Sequence, residues 1–285
     1  MRRNFYIILF SILIITYLSS SKKIFKSLPP GTIRLTDSLY IDKFPVRVAD
    51  YIEFLSSIKR FYNEGLHDTI SKMPLYGITS ENIMGLQEVF KGDSMEYVRM
   101  LTRTWITYSN DERRYDVDYH LKSSKFYNFP IINISYEQMR HYCRWRTDMV
   151  KLHYATICKT EKQRRKYPMN FVYRLVSRKE WEAALGEFFY DVIKSKPDDD
   201  GNKNKPENIV RSYVKEKGRE FYYDVNNAAE TLDKAIVAFN FKWNDRYHIG
   251  EISYFKFSEP SDWISFRCIC EILPEENPPP ATKHK

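Results

Sequence analysis

The chain has 285 residues, of which 43% are hydrophobic, 16% aromatic and 29% charged. That is enough apolar surface to bury a core, which excludes a disordered chain. With 9 Gly and 4 Cys it is neither collagen-like nor a disulfide-dense small scaffold. A mean hydropathy of −0.55 and a single continuously apolar stretch exclude a polytopic membrane protein. Net charge is +8, but the basic residues are spread out. The densest run, Lys159 to Lys166 (KTEKQRRK), reads as a solvated face, the alternative being a weak attraction to anionic headgroups or glycans. No nucleic-acid reading module accompanies it, so nucleic acid is not expected as a partner.

Taken in chain order, the first element is a basic start, Met1-Arg2-Arg3-Asn4, followed by an apolar run from Phe5 to Leu18 and by Ser19-Ser20-Ser21. A basic n-region, a short h-region and small residues describe a secretory signal over 1–21. Fourteen residues fall short of the ~20 that a spanning helix needs, though tilt can let such a run serve as an anchor, so a cleaved signal and an uncleaved anchor over residues 5–18 both stay open. The first cysteine is Cys143, so a lipid anchor just after the h-region is not available. Either reading places the remainder outside the cytoplasm, in the periplasm or cell envelope, where disulfides persist.

Residues 22–31 read as a linker closing on Pro29-Pro30-Gly31, a turn signal. Ile33 and Leu35, then Leu39 and Ile41, alternate as paired strands around an Asp37-Ser38 turn. Tyr51, Ile52, Leu55, Ile58 and Phe61 predict a helix over 49–62. A further helix is expected over 94–105, and a short strand over 130–134. Ser135 with Gln138 three residues on, and Ser177 with Glu180, have the spacing of capping boxes. They predict one helix from Tyr136 through Trp145 toward Cys158 and another over 179–185, the latter after an extended Tyr173-Arg174-Leu175. The polar stretch 194–208 is a surface loop; its Gly falls too early for a calcium loop. Alternation over 219–272 suggests more strands, and 274–285 a disordered tail. Short strands, scattered helices and long irregular connections indicate α+β rather than βαβ repeats.

Four segments, in order, resemble the formylglycine-generating-enzyme, or sulfatase-modifying-factor, family. PPGTIRLTDSLYIDKFPVRVADYIEFL (29–55) resembles its opening strands and first helix. FPIINISYEQMRHYCRWRT (129–147) is similar to its "PVVxVSWxxAxxYCxW" segment, YRLVSRKEWEAAL (173–185) to "RLPTEAEWEYA", and ISFRCICEI (264–272) to the closing "GFRC" strand. The WRTD after Cys143 and the PPGT…DSLYID opening further resemble a gliding-motility and secretion-associated branch in Bacteroidetes-type bacteria. The resemblance implies one irregular α+β domain of C-type-lectin-like fold over 32–273.

Active members of that family oxidise a sulfatase cysteine to formylglycine with copper held by two cysteines shortly before the "GFRC" strand. The matching stretch here, Gly250 to Ser258, contains no Cys, so the resemblance implies the fold without the copper pair, and no catalytic residue is assigned. It also implies a disulfide between Cys143 and Cys268, with two buried free thiols as the alternative. Cys158 and Cys270 are left over; Cys268 and Cys270 lie two apart on a strand and share a face. Tyr223 to Thr231 (YDVNNAAET) resembles the family's "YDMAGNVWEW" segment, which holds structural calcium. The matching positions are Asp224, Asn226, Ala228 and Glu230, with Asn226 where the family has Gly; the alternative is a polar turn whose Glu230 is satisfied by a neighbouring base. Trp181 is expected in the core, and Arg174 beside a carboxylate such as Glu182. His120, His141, His153 and His248 lack zinc-site spacing. Three functions follow: a non-catalytic envelope scaffold with protein partners, an oxidase with another ligand set such as Cys268 and Cys270, and a glycan-binding module. The sequence names no small-molecule substrate.

Overall fold

The computed structural model describes residues 28–61, 124–188, 221–222, 228–233, 235–238, 253–256, 259–261 and 264–274. The apolar N-terminal run, the helix expected at 94–105, the loop at 194–208 and the tail from 275 on lie outside them. Among the described residues no helix is long and apolar enough to cross a membrane.

Pro29-Pro30-Gly31 turns the chain into β1 (Thr32–Arg34). The Thr32 amide donates to the Pro29 carbonyl at 3.2 Å, and Gly31 has φ +74°. A glycine after proline suits this turn because only it takes positive φ without strain. β1 pairs antiparallel with β2 (Leu39–Asp42), Ile33 opposite Ile41, and the Asp37-Ser38 turn expected between them is present. α1 (Val48–Phe61) follows as the apolar spacing predicts.

The strand expected at 130–134 does not form. Pro130 makes only an isolated bridge to Arg47, and Asn133 has φ 62°, a left-handed conformation that breaks an extended run. Ile131 and Ile134 are buried nonetheless, and the Ile131 amide donates to the Val46 carbonyl at 2.8 Å. The segment is irregular backbone pinned by two apolar side chains.

Ser135 then caps α2 (Tyr136–Ile157). Its hydroxyl accepts from the Gln138 amide and the Gln138 side chain accepts from the Ser135 amide, a complete capping box. A one-turn helix, α3 (Glu161–Arg164), leads to β3 (Phe171–Leu175). Ser177 opens α4 (Arg178–Phe188) in the same reciprocal way, its amide donating to Glu180 Oε2 at 2.8 Å. β4 (Ala229–Leu232), β5 (Ala235–Ala238), β6 (Ser253–Phe255), β7 (Ile264–Phe266) and β8 (Cys268–Ile272) complete the described elements.

These strands make two four-stranded sheets. One runs β1-β2-β8-β3, all antiparallel; the other runs β6-β5-β4-β7, with β4 and β7 parallel. Side chains alternate across the first sheet, and the alternation divides the core. Tyr40, Phe171, Tyr173, Leu175, Cys268 and Cys270 face one cluster with α1 and α2. Ile33, Ile41 and Ile269 face the other with Trp181, Ala184, Leu185 and Phe188 of α4. Only Arg267 separates β7 from β8, so a single residue carries the chain from one sheet into the other. The architecture is α+β, as expected from the sequence.

Candidate functional site

The residues singled out by the family motifs converge where α2 crosses β8. α2 presents Cys143, Arg146 and Thr147 on one face, because residues three and four apart lie together on a helix. Thr147 Oγ1 donates to the Cys143 carbonyl and accepts from the Tyr173 amide, both at 2.9 Å, which fastens the helix to β3. Arg146 donates to Asp42 Oδ2 at 2.5 Å and to the Pro30 carbonyl at 3.0 Å. Its guanidinium lies 4.4 Å from the Tyr173 ring centroid. Asp42 Oδ2 also accepts from the Cys268 amide at 3.0 Å, so one buried carboxylate of β2 ties the long helix to β8, and Arg146 adds the first turn.

Cys143 Sγ and Cys268 Sγ are 3.4 Å apart and buried. Both are free thiols, so the expected disulfide is not formed, although its two residues are brought face to face. A bond would need the sulfurs at about 2.05 Å. Burial, then the Cys143 contact, pushes the Cys268 thiol well above the ordinary range. Burial does the same to Cys270, which lies opposite Tyr40 and Tyr173 across its two neighbouring strands. Cys268 and Cys270 do share a face, while Cys158 ends α2 apart from them. Thiols held protonated are poor metal ligands and poor nucleophiles, because the thiolate does both tasks. Among the described residues no group of three or more His, Cys, Asp or Glu could hold a metal ion. The stretch matched to the family's copper ligands, 250–258, has no cysteine, and the four cysteines present are buried, so the donor set does not fit the family's copper pair.

Burial also pushes the Asp42 carboxyl up, and Arg146 pulls it partly back. Asp42 Oδ1 is buried with no hydrogen-bond partner among the described residues, a residual cost that the Oδ2 bonds offset.

The segment matched to the calcium site is only partly described. Asp224 and Asn226 lie outside the described residues. Ala228 is buried. Glu230 gives both oxygens to Arg267, which donates from Nε at 2.8 Å and from Nη2 at 2.7 Å. The neighbouring base is thus present, and both Glu230 oxygens accept from it. Arg267 also donates to the carbonyls of Asp42 and Tyr222, each at 2.9 Å, and lies 4.2 Å from the Phe221 ring centroid. The strand-switching residue is therefore the clasp between the two sheets.

Arg174 pairs with Glu180, at 2.6 and 2.8 Å, and with Glu271 at 2.7 Å, not with Glu182. The reason is the capping box: Glu180 is drawn back to Ser177 and so to the end of β3, whereas Glu182 accepts from Arg178 at 2.9 Å. Trp181 is buried as expected. Asp42, Arg146 and Arg267 were not legible as a network, because they are far apart in sequence; the signal that could have flagged them is a charge standing inside or next to an apolar strand, as in LYID and ISFRC.

No curated protein and no solved structure matches the chain. The family model for the sulfatase-modifying factor enzyme 1-like domain matches residues 15–230, from within the apolar N-terminal run to the Arg267 partner Glu230. With that match over most of its length and with this α+β architecture, the chain belongs to the sulfatase-modifying factor enzyme 1-like family.

Proposed function

We propose that this chain is an exported, non-catalytic member of its family that serves as a binding or scaffold component of the cell envelope, in an assembly of the secretion or gliding type. One observation carries the reading: the stretch matched to the copper ligands, 250–258, has no cysteine. The thiols closest together, Cys143 and Cys268, are buried in the core between helix and sheet. The architecture is kept by polar clasps such as Arg146–Asp42 and Arg267–Glu230. Export is supported by the basic start and the apolar run from Phe5 to Leu18. The WRTD and PPGT…DSLYID segments support the gliding- and secretion-associated branch.

The test is copper titration of the purified protein with a cysteine-containing sulfatase peptide. No peptide-dependent oxygen consumption is expected. Oxygen consumption with conversion of the peptide cysteine to an aldehyde overturns the scaffold reading in favour of the oxidase. Affinity capture from native envelopes, followed by mass spectrometry, identifies the protein partner that the scaffold reading requires.

A further inference from the structure

Arg164, the last residue of α3, sits in the densest basic run of the chain. It does not belong to the solvated face that the run suggests: it is 0% exposed. Its Nη1 donates to the Pro168 carbonyl at 2.9 Å. Its Nε and Nη2 are buried and have no hydrogen-bond partner among the described residues. Nε–H and Nη2–H lie on the same edge of the guanidinium plane, the edge that takes a paired-oxygen acceptor. Elsewhere this chain fills that same edge with a carboxylate: Arg267 binds Glu230 through Nε and Nη2, and Arg47 binds Asp50 through Nε and Nη2.

Among the described residues, the titratable groups that face Arg164 are Cys158, Tyr154 and Lys151, none of them a carboxylate. The guanidinium lies 5.7 Å from the Tyr154 ring centroid, and the Tyr154 hydroxyl is also buried without a hydrogen-bond partner among the described residues. Lys151, three residues before Tyr154 on α2, lies 5.9 Å from the Phe171 ring centroid. Burial lowers its ammonium, Asp148 acts against that lowering, and Arg164 adds to it. Buried donors without acceptors are a cost that an anion at this position would remove.

We propose that the Nε–Nη2 edge of Arg164 is a binding site for a small oxyanion presenting two oxygens, as a carboxylate or a phosphate does. The site is separate from the Cys143–Cys268 crossing and stands whether or not the scaffold reading holds. The experiment is arginine Nε–H NMR on the full chain, titrated with sodium phosphate or sodium acetate while sodium chloride keeps the ionic strength constant. One Nε–H signal, absent in Arg164→Lys, is expected to shift saturably with at least one of the two anions. A response to acetate identifies the carboxylate and a response to phosphate the phosphate. Arg164→Lys keeps the charge but loses the two-pronged edge, and its thermal midpoint should not rise with the anion as that of the wild type does. Should the variant fail to fold, the wild-type signal assigned through its own backbone still decides. The proposal is overturned if neither anion gives a saturable shift, if sodium chloride alone reproduces it, or if Arg164→Lys is stabilised equally.

Discussion

Replacing Glu230 by Gln removes one charge from a pair that water does not reach. Arg267 and Glu230 are 0% and 1% exposed, and their closest contact is 2.7 Å. The amide keeps the shape of the carboxylate but offers a single oxygen, and its NH2 then faces the donors of Arg267. The guanidinium stays buried without its paired carboxylate. Its position 4.2 Å from Phe221 and 5.4 Å from Trp181 offsets only about 0.5–2 kcal/mol. Breaking a buried pair from one side costs about 3–5 kcal/mol, a large share of a total stability on the order of 5–15 kcal/mol. At about 2–4 °C per kcal/mol for a chain of this size, the melting midpoint falls by roughly 6–20 °C. Urea denaturation followed by circular dichroism measures the loss directly. The double variant Arg267→Met, Glu230→Leu leaves no stranded charge and should lose less than Glu230→Gln alone. A cost below about 1 kcal/mol for Glu230→Gln, with the double variant losing the sum of its two singles, would refute the clasp.

Three further outcomes are expected. Burial raises the Glu180 carboxyl, but hydrogen bonds from Arg174 and from Ser177 outweigh it and hold it at about 2, against an ordinary 4.5. A depressed folded value stabilises above the unfolded one and is lost as pH falls through the folded one. Because the pair is partly solvated, Glu180→Gln should cost about 1–2 kcal/mol at pH 7, with the gap to wild type closing between pH 4.5 and 2 in denaturation curves; a pH-independent gap contradicts this. Ser135→Ala removes the capping acceptor of the long helix and should cost about 1 kcal/mol, restored by Ser135→Asp but not by Ser135→Val. Oxidation is expected to join Cys143 to Cys268 and not to Cys270, as read by non-reducing peptide mapping, and to raise stability by up to roughly 4–5 kcal/mol for so long a loop; a Cys268–Cys270 link in the map would contradict the geometry.

Where local chemistry decides a conformation, the residues announce it. Ser135 with Gln138 and Ser177 with Glu180 mark their helix starts because the capping partners lie three residues apart. Pro30-Gly31 sets the turn into β1, and the alternation of Ile33, Leu39 and Ile41 marks the first hairpin, because the side-chain period of a strand is two. The family and its α+β fold follow from such segments in order. The segment 130–134 shows the limit: its composition is that of a strand, but Asn133 turns left-handed and the two isoleucines are buried without a ladder. Tertiary structure alone decided which charges meet. Arg174 chose Glu180 over Glu182 because the cap had already placed Glu180. Asp42 meets Arg146 across 104 residues and Arg267 meets Glu230 across 37; no local pattern encodes such pairs, since burial between packed elements selects them. The same holds for Arg164, which is one more basic residue in KTEKQRRK until the fold takes it out of water and leaves one edge of its guanidinium unpaired.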